Sequence, residues 1–439
     1  MKNPIKTIED QCVGCHKCVH ICPVNANMEA STYMSGIIIT TTIKIDDNRC
    51  IQCGACIKVC DHNARVYEDD TETFINDVKS NSYKMAVITA PAFLYNFENY
   101  KQVIGWLRNI GVKIIQDVSF GADITTYLYL KSFDAFKHTF ISQPCPVMVN
   151  YVEKYTPHLL SYLSQKQSPA MCMATWMRKY ENFKGRIAFI SPCIAKQMEI
   201  LDNNNRDLIN YNVTITKLKE YIKKNNINLS EFSESDFDNL MPNLGYNYSR
   251  PGGLREQIDY YTGSDMWVKQ VEGIPEATEY IKEYGDRVEK MYPVPQLVDI
   301  LNCHRGCNFG TGTDQNIYSD DVDYTINTRK KQFVNRSIDT PLDNPLFKMF
   351  DEKINIDDFT RKYTAKPIPK TDKDTDEFKQ KIEEVYISLG KETEVQRKHN
   401  CNACGRGSCV SFAESVVEGF AMINSCFFYS QKLLHDILG

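Results

Sequence analysis

Two cysteine runs of the same spacing occupy much of the first 60 residues of the chain. They read CVGCHKCVHICP and CIQCGACIKVC, and their cysteines are Cys12, Cys15, Cys18, Cys22, Cys50, Cys53, Cys56 and Cys60. Several thiols in tight CxxC arrangements favour iron–sulfur clusters, with structural zinc as the alternative. Residues 1–78 otherwise show little apolar periodicity, so we expect this region to fold around metal rather than around a large apolar core.

The CxxCxxCxxxC spacing, repeated twice, resembles that of two-cluster bacterial ferredoxins. In that pattern three close thiolates hold one cluster, and the fourth reaches across to the other cluster. The resemblance implies that cluster one takes Cys12, Cys15, Cys18 and Cys60. It implies that cluster two takes Cys50, Cys53, Cys56 and Cys22. Pro23 follows the first run as the pattern requires, whereas Asp61 replaces the second proline. We expect residues 1–78 to form a ferredoxin-like domain whose two 4Fe-4S clusters transfer electrons.

The bulk properties of the chain limit its cellular setting and its partners. The N-terminal stretch MKNPIKTIEDQC lacks the apolar core of a signal peptide, and no apolar run approaches membrane-spanning length. We therefore expect a cytoplasmic protein with reduced thiols and no membrane partner. A net charge of -5 gives no reason to expect nucleic-acid binding.

From about residue 83 short apolar runs alternate with stretches of helical spacing. The runs MAVITAPAF, VKIIQDV and RIAFISPC predict buried strands, and ADITTYLYLKSFDAFKHTF predicts a helix. Such alternation predicts α/β units with parallel sheets. We expect the Asn- and Lys-rich residues 202–245 to be a surface excursion between these units.

Four further cysteines stand in separate motifs in the middle of the chain. Taken singly, each would be interpreted as a buried structural thiol. The segments SQPCPVM, SPCIAKQME and LNCHRGCNFGTG contain Cys145, Cys193, Cys303 and Cys307. In this order they resemble the three signature segments of the FeFe-hydrogenases. TAPAF, FGADIT, RPGGLRE and DNPLF extend the resemblance over roughly residues 1–365.

This resemblance implies a two-lobed α/β catalytic domain over residues 79–368, with the H-cluster between its lobes. The four cysteines would hold a 4Fe-4S cubane, and Cys307 would also bridge to a di-iron unit bearing CO and cyanide. Soft thiolate sulfur suits such low-valent iron. Lys196 would donate hydrogen bonds to one cyanide, its alternative being a surface lysine. Ala90, Pro91 and Ala92 would line the other cyanide, and Ala92 stands where the family often has a serine.

The proton-transfer groups that the family resemblance implies are largely missing. Pro144 replaces the cysteine that precedes the first ligand, and Ser191 replaces a methionine. Leu128, Tyr129, Leu130 and Lys131 stand where carboxylates are expected. Glu199 remains as a terminal relay. We therefore expect hydrogen turnover well below that of a prototypical enzyme, since a lost general acid commonly costs roughly 10²–10⁴-fold in rate.

A substitute proton route is a hypothesis of its own. The resemblance brings Glu256 of PGGLRE and Cys172 of SPAMCMATW near the cofactor. We expect Glu256, together with Cys172, to carry protons in place of the missing groups. The alternatives are a surface carboxylate for Glu256 and a buried packing thiol for Cys172.

A last cysteine group stands near the end of the chain, after a charged linker. It comprises Cys401, Cys404, Cys409 and Cys426. The CxxCGxxxxC opening, a helix and a distant fourth cysteine resemble a single-cluster iron–sulfur module, with zinc as the alternative. Gly405 would let the backbone turn close to the metal. We expect residues 369–439 to form this linker and a C-terminal 4Fe-4S domain, which makes three 4Fe-4S clusters besides the H-cluster.

Taken together, the motifs predict a divergent FeFe-hydrogenase that binds or slowly splits H2 and serves as a hydrogen sensor. Its substrates would be H2 and protons, and its output would reach a redox or signalling partner in trans. Separate maturation proteins would assemble the di-iron unit. One alternative is a metabolic, ferredoxin-linked hydrogenase with a rerouted proton path. The other is an iron–sulfur assembly or scaffold protein that lacks the di-iron unit.

Overall fold

The computed structural model describes residues 3–34, 37–133, 139–263, 265–334, 342, 344–368 and 372–438. The chain divides into two compact units. One is Asp69–Lys366, and the other joins Lys2–Glu68 to Pro367–Gly439. The predicted domain boundaries near residues 78 and 368 stay a prediction. None of the helices in the described ranges is both long and apolar enough to cross a membrane.

The strands are short, and most lie in the larger unit. They are β1 (Ile5–Thr7), β2 (Asn27–Met34), β3 (Ile37–Ile45), β4 (Arg65–Tyr67), β5 (Met85–Thr89), β6 (Ile114–Asp117), β7 (Phe140–Ile141), β8 (Arg186–Ser191), β9 (Tyr211–Thr214), β10 (Val268–Glu272) and β11 (Leu297–Leu301).

The α-helices alternate with the strands from β4 onward. They are α1 (Lys17–His20), α2 (Ala55–Lys58), α3 (Thr71–Lys79), α4 (Ala92–Asn96), α5 (Tyr100–Ile110), α6 (Ser119–Phe133), α7 (Pro146–Tyr155), α8 (Pro169–Thr175), α9 (Lys196–Ile200), α10 (Ile215–Lys224), α11 (Gly253–Thr262), α12 (Glu276–Glu289), α13 (Ser319–Val334), α14 (Pro345–Lys353), α15 (Asp376–Ser388), α16 (Glu394–Arg397), α17 (Cys409–Val417) and α18 (Phe427–Leu438).

Two parallel sheets organise the larger unit. One has the order β6-β5-β8-β9 and the other the order β10-β11-β7. The residues of β5 and β11 are buried throughout, as expected of strands covered by helices on both faces. The prediction of α/β units with parallel sheets is therefore confirmed. The predicted helix of residues 122–140 is α6 as far as Phe133, whereas residues 134–138 lie outside the described ranges.

The prediction that residues 202–245 form a surface excursion is wrong for part of that stretch. Residues 211–214 form β9, which pairs in parallel with β8 and is buried throughout. Helix α10 follows and buries Ile215 and Leu218 in the same core. The strand is hard to recognise in the sequence because Asn212 interrupts its apolar run. In the structure the Asn212 side chain can be buried because it forms hydrogen bonds inside the protein.

The smaller unit contains the longer strands β2 and β3 together with short helices beside the cysteines. Strand β1 pairs with β4 and β2 pairs with β3, both antiparallel. Helices α1 and α2 each begin inside a cysteine run. Helices α15 and α17 pack together in a small apolar cluster that includes Val385, Tyr386 and Phe412. The C-terminal cysteines therefore stand beside a small apolar core, which includes Cys426 itself.

Candidate metal centres

A cavity in the larger unit opens at the carboxyl ends of strands from both sheets. Ala90 and Pro91 follow β5, Pro192 and Cys193 follow β8, and Asn302 and Cys303 follow β11. The remaining lining residues are Val118, Pro144, Cys145, Pro146, Val147, Pro169, Ala170, Phe189, Lys196, Tyr248, Ser249, Leu301, Cys307 and Gly310. Carboxyl ends of parallel strands are the usual place for a ligand site in α/β folds. The wall is mainly apolar, and Cys145, Cys193, Cys303 and Cys307 all face it.

Cys145 stands at the N-terminus of α7. Its backbone is extended, and Pro146 occupies the first helical turn, where a missing N–H costs nothing. The Cys145 sulfur accepts hydrogen bonds from the backbone N–H groups of Val147, Met148 and Asn302. Burial raises the pKa of the Cys145 thiol, whereas these donors lower it. Helix N-termini stabilise thiolates, so these donors offset part of the cost of burying an anionic sulfur ligand here.

The other three thiols lie in electrostatic range of one another and of Cys145. Burial, together with the nearby thiols of Cys303 and Cys145, raises the pKa of the Cys193 thiol to about 12. Burial likewise raises the pKa of Cys307, with additional contributions from Cys303, Cys145 and Cys193. Thiols packed this closely stay neutral unless a cationic group displaces their protons.

Lys196, at the start of α9, places an ammonium group at the cavity wall. Its Nζ donates to the carbonyl oxygen of Pro144 at 3.2 Å and to Oγ of Ser168 at 3.4 Å, and it forms an ion pair with Glu199. The Glu199 side chain is fully buried, and Arg361 lies 3.5 Å away on its other side. Arg361 also pairs with Asp202 at 3.2 Å. A chain of paired charges therefore runs outward from the cavity through buried side chains.

The remaining residues predicted to surround the cofactor take different positions. Ala90, Pro91 and Pro144 line the cavity. Ala92 is fully buried as the first residue of α4, but it is not part of the lining. Ser191 is also buried outside the lining, where its hydroxyl bonds to Asn212 and to the carbonyl oxygen of Cys193.

The two residues of the predicted substitute proton route do not line the cavity. Cys172 is fully buried on α8, and its sulfur lies 3.3 Å from Oγ1 of Thr125. Burial raises the pKa of this thiol to about 12. Glu256 is on α11, where its carboxylate forms ion pairs with Arg250 and Lys330.

The smaller unit brings the N-terminal cysteines together in the crossed arrangement that the spacing predicts. One small cavity is lined by Cys12, Cys15, Cys18 and Cys60. The other four, Cys22, Cys50, Cys53 and Cys56, lie in electrostatic range of one another. Backbone N–H groups donate to two sulfurs of this second set, from Ala26 to Cys22 at 3.2 Å and from Gln52 to Cys50 at 3.3 Å. These donors favour the thiolate form that a cluster requires.

The C-terminal cysteines also surround a single cavity. Its lining includes Cys401, Cys404, Cys409 and Cys426, together with Leu389, Phe412 and Phe427. Gly405 has φ = +73°, a backbone conformation that residues other than glycine rarely adopt. The turn that follows the CxxC pair therefore has the glycine that its backbone needs.

The donor sets suit iron–sulfur cofactors in all four places. Each site offers four thiols and no carboxylate among the described residues that form it, and soft sulfur ligands select iron–sulfur clusters or zinc. Among the described ranges, no three Cys, His, Asp or Glu side chains are close enough to share one metal ion, so the thiols of each site are spaced more widely than a single zinc ion requires. The central cavity also presents one ammonium group in an apolar wall, a combination that favours an anionic ligand.

Several residues of these sites carried no recognisable signal in the sequence. Arg361 contacts Glu199 across 162 positions of the chain, and no motif surrounds it. Tyr248 lines the central cavity without belonging to a cysteine motif. Such partners depend on tertiary packing, and local spacing cannot identify them.

Three family models match the chain in separate segments. The model described as the iron only hydrogenase large subunit, C-terminal domain, matches residues 83–311, slightly more than half of the chain. A 4Fe-4S dicluster domain matches residues 11–64, and an Fe-S cluster model matches residues 398–428. Iron–sulfur cofactors are therefore supported on both sides of the central domain.

Solved structures share the fold of the central part. Two FeFe-hydrogenase structures match with a TM-score of 0.50 and 17% identity, covering 68% of this chain and 99% of theirs. One concerns oxygen inactivation through degradation of the H cluster 2Fe subcluster, and the other concerns stepwise H-cluster assembly in HydA. A variant of HydA1 from Chlamydomonas reinhardtii matches with the same identity and coverage and a TM-score of 0.49. The fold is that of the FeFe-hydrogenase catalytic domain, and with the family match over residues 83–311 the chain belongs to the iron-only hydrogenase family.

Proposed function

We propose that this protein binds an H-cluster and catalyses slow, reversible oxidation of H2. The observation that carries the proposal is the convergence of Cys145, Cys193, Cys303 and Cys307 on one apolar cavity with Lys196 in its wall. Four sulfurs would hold the cubane, with that of Cys307 shared with the di-iron unit. When bound, this group would supply the low-valent iron at which H2 is split or formed.

The residues around the cavity would orient the cofactor and keep water out. Lys196 would donate hydrogen bonds to a cyanide ligand, and its pairing with Glu199 fixes where the ammonium group stands. Prolines and aliphatic side chains form most of the wall, so its charged and polar groups act in a poorly solvated space. Ala90 and Pro91 would pack against the other cyanide. Ala92, behind them, has no hydroxyl to donate.

The cavity wall supports the expectation of slow proton transfer. The described lining residues include no carboxylate and no histidine, and Pro144 offers only its carbonyl oxygen, which accepts from Lys196. Glu199 is the one carboxylate in direct contact with a lining ammonium group. We therefore propose Glu199 as the first proton acceptor beyond the wall. Glu256 and Cys172 stay second candidates for proton transfer. Each lies outside the lining, and their partners are Arg250 and Lys330 for Glu256 and Thr125 for Cys172, rather than Lys196.

A sensory role accords with slow turnover and with the additional C-terminal cluster. Binding of H2 would change the redox state of the chain of clusters, and a redox or signalling protein in trans would receive that change. A metabolic enzyme with a rerouted proton path would instead turn over rapidly. We expect the cytoplasm as the compartment, because thiol-rich clusters require reducing conditions.

Infrared spectroscopy tests the proposal most directly. The purified chain is loaded anaerobically with the di-iron unit, either by maturation proteins or by a synthetic di-iron complex. We expect stretching bands from metal-bound CO and cyanide in the natural chain and in Cys172→Ala. The bands should be lost in Cys307→Ala. Cys172 is the control because it is a cysteine of the same unit that lies outside the cavity.

Two outcomes would contradict the proposal in different ways. A natural chain that holds its 4Fe-4S clusters yet shows no such bands would favour the scaffold alternative. A loaded chain whose H2 oxidation is as fast as that of prototypical enzymes would exclude the slow, sensory interpretation.

A further inference from the structure

Within the smaller unit, the C-terminal cysteine loop packs against the first ferredoxin-type cysteine run. A Cβ atom added to Gly405 would lie 2.9 Å from the ring of His20, which stands between Cys18 and Cys22. The backbone N–H of Glu29 donates to the carbonyl oxygen of Phe420 at 3.3 Å. The C-terminal cysteine group and Cys22 are therefore neighbours in space, although they are almost 400 positions apart in the chain.

A buried arginine occupies the junction between these two cysteine groups. Arg406 is 4% exposed, and its Nη2 donates to the carbonyl oxygens of Asn27, at 3.1 Å, and Phe420. Its guanidinium lies in electrostatic range of the carboxylate of Glu29 first, and then of the thiols of Cys404 and Cys22. Nε and Nη1 are buried and have no hydrogen-bond partner among the described residues. A buried guanidinium with two unused donors is costly unless an anionic group faces it.

A second buried arginine stands between the two ferredoxin-type cysteine sets. Arg65 is also 4% exposed, and its Nη2 lies 2.8 Å from Oδ1 of Asn27 and 3.5 Å from the sulfur of Cys18. Its charge acts on Cys18, of the first set, and on Cys56, of the second. Nη1 is buried without a partner in the described part of the chain. Asn27 thus holds both arginines, one through its side chain and one through its backbone.

We propose that Arg65 and Arg406 are the charged bridges of a three-cluster electron path, with Asn27 as their positioning residue. The path runs from cluster one to cluster two and on to the C-terminal cluster. Each step moves one electron, so one cluster is oxidised as its neighbour is reduced, and no proton or bond is exchanged. Both guanidiniums would donate their unused N–H groups to cluster or thiolate sulfur. Their positive charge would stabilise the reduced state of both neighbours.

This inference rests on the iron–sulfur clusters alone and not on the di-iron unit or on hydrogen turnover. The full-length chain carrying only 4Fe-4S clusters is therefore the sample. Its two readouts are redox potentiometry followed by electron paramagnetic resonance, and magnetic coupling between reduced clusters. Failure of the hydrogenase proposal would leave both readouts untouched.

We expect Arg406→Gln to make the midpoint potential of the C-terminal cluster more negative, because the lost charge no longer favours reduction. The expected change is at least tenfold in the reduced-to-oxidised ratio at fixed potential, or about 59 mV for a one-electron couple. Arg406→Lys, which keeps the positive charge, should bring the midpoint potential of the C-terminal cluster most of the way back to that of the natural chain. Arg49→Gln is the matched control, since Arg49 pairs with Glu418 and stacks on Phe420 at the same junction. Potentials equal in Arg406→Gln and Arg49→Gln would overturn the proposal.

Magnetic coupling gives an independent test that does not depend on an arginine variant folding. The fully reduced natural chain should show spectra broadened by neighbouring clusters. Cys404→Ser, which removes a candidate ligand of the C-terminal cluster, should narrow the signal of cluster two. If the spectrum of cluster two is the same with and without the C-terminal cluster, the path does not exist.

Discussion

Glu199 is the residue on which the charges beside the central cavity depend. Its carboxylate stands between Lys196, whose ammonium group reaches the cavity wall, and Arg361, whose side chain is 3% exposed. Water has little access to these charged groups, whose side chains are at most 10% exposed. A buried ion pair gains little over an apolar pair, but removing one partner leaves an uncompensated charge inside the protein.

We therefore expect Glu199→Gln to lower the free energy of unfolding of the catalytic unit by about 3–5 kcal/mol. Calorimetry of the full-length chain measures this as a lower midpoint for the transition of residues 69–366. The control is Glu220→Gln, which removes the same charge from an exposed pair with Lys217 in the same unit and should leave the transition where it is. If the two substitutions lowered the transition midpoint equally, the buried pairing of Glu199 would add nothing to the free energy of unfolding.

At the scale of elements, apolar runs predicted β5, β6 and β8 because strands covered on both faces need continuous apolar sequence. Strand β9 has only four residues and contains Asn212, whose amide bonds to the carbonyl oxygen of Cys193 at 3.2 Å. Cysteine spacing predicted which N-terminal thiols meet, because three thiols of each run lie close together in the chain and the fourth crosses to the other set. The contacts of Arg361 and Arg406 join distant segments, so spacing carries no information about them.

Helix α6 shows how a buried carboxyl group ties an element to a loop. Asp123 is fully buried, and it accepts hydrogen bonds from the backbone N–H groups of Asn243, at 2.6 Å, and Leu244, at 3.2 Å. Burial raises the pKa of Asp123 to about 8, from an ordinary value of 3.8. Between these two pH values the folded chain keeps a proton that the unfolded chain has lost. The free energy of unfolding therefore falls as pH rises through this window.

We expect the natural chain to lose about 1.4 kcal/mol of stability per pH unit through this one proton, with the loss ending above about pH 8. Asp123→Asn should flatten the slope without abolishing it, because burial also raises the pKa of Asp299 to about 7. Unfolding of the catalytic unit at pH 5 to 9 measures the slope. Asp320→Asn, at an exposed position of α13, is the control. An unchanged slope in Asp123→Asn would show that this carboxyl group ionises normally.

At the scale of the whole molecule, the two ends of the sequence belong to one compact unit. Glu29 illustrates the arrangement: its side chain is fully buried, 3.3 Å from Nε2 of His16, and it accepts from the backbone of Met422 at 2.8 Å and from the hydroxyl of Ser425. The C-terminal segment thus supplies hydrogen bonds that a carboxylate in the N-terminal segment needs. We infer that cluster two depends on the packing of the C-terminal segment, and not on the C-terminal cluster alone.

Iron content distinguishes cooperative from independent stabilisation. Sixteen candidate ligands correspond to about 16 irons in cubane clusters, and a di-iron unit would raise this to about 18. Cys404→Ser in the full-length chain should lose about 4 irons, those of the C-terminal cluster. Removal of residues 367–439 should lose about 8, because Glu29 and the junction beside Cys22 are then uncovered and cluster two is lost as well. Equal losses of about 4 from both changes would show that the ferredoxin-like part holds its clusters without the C-terminal segment.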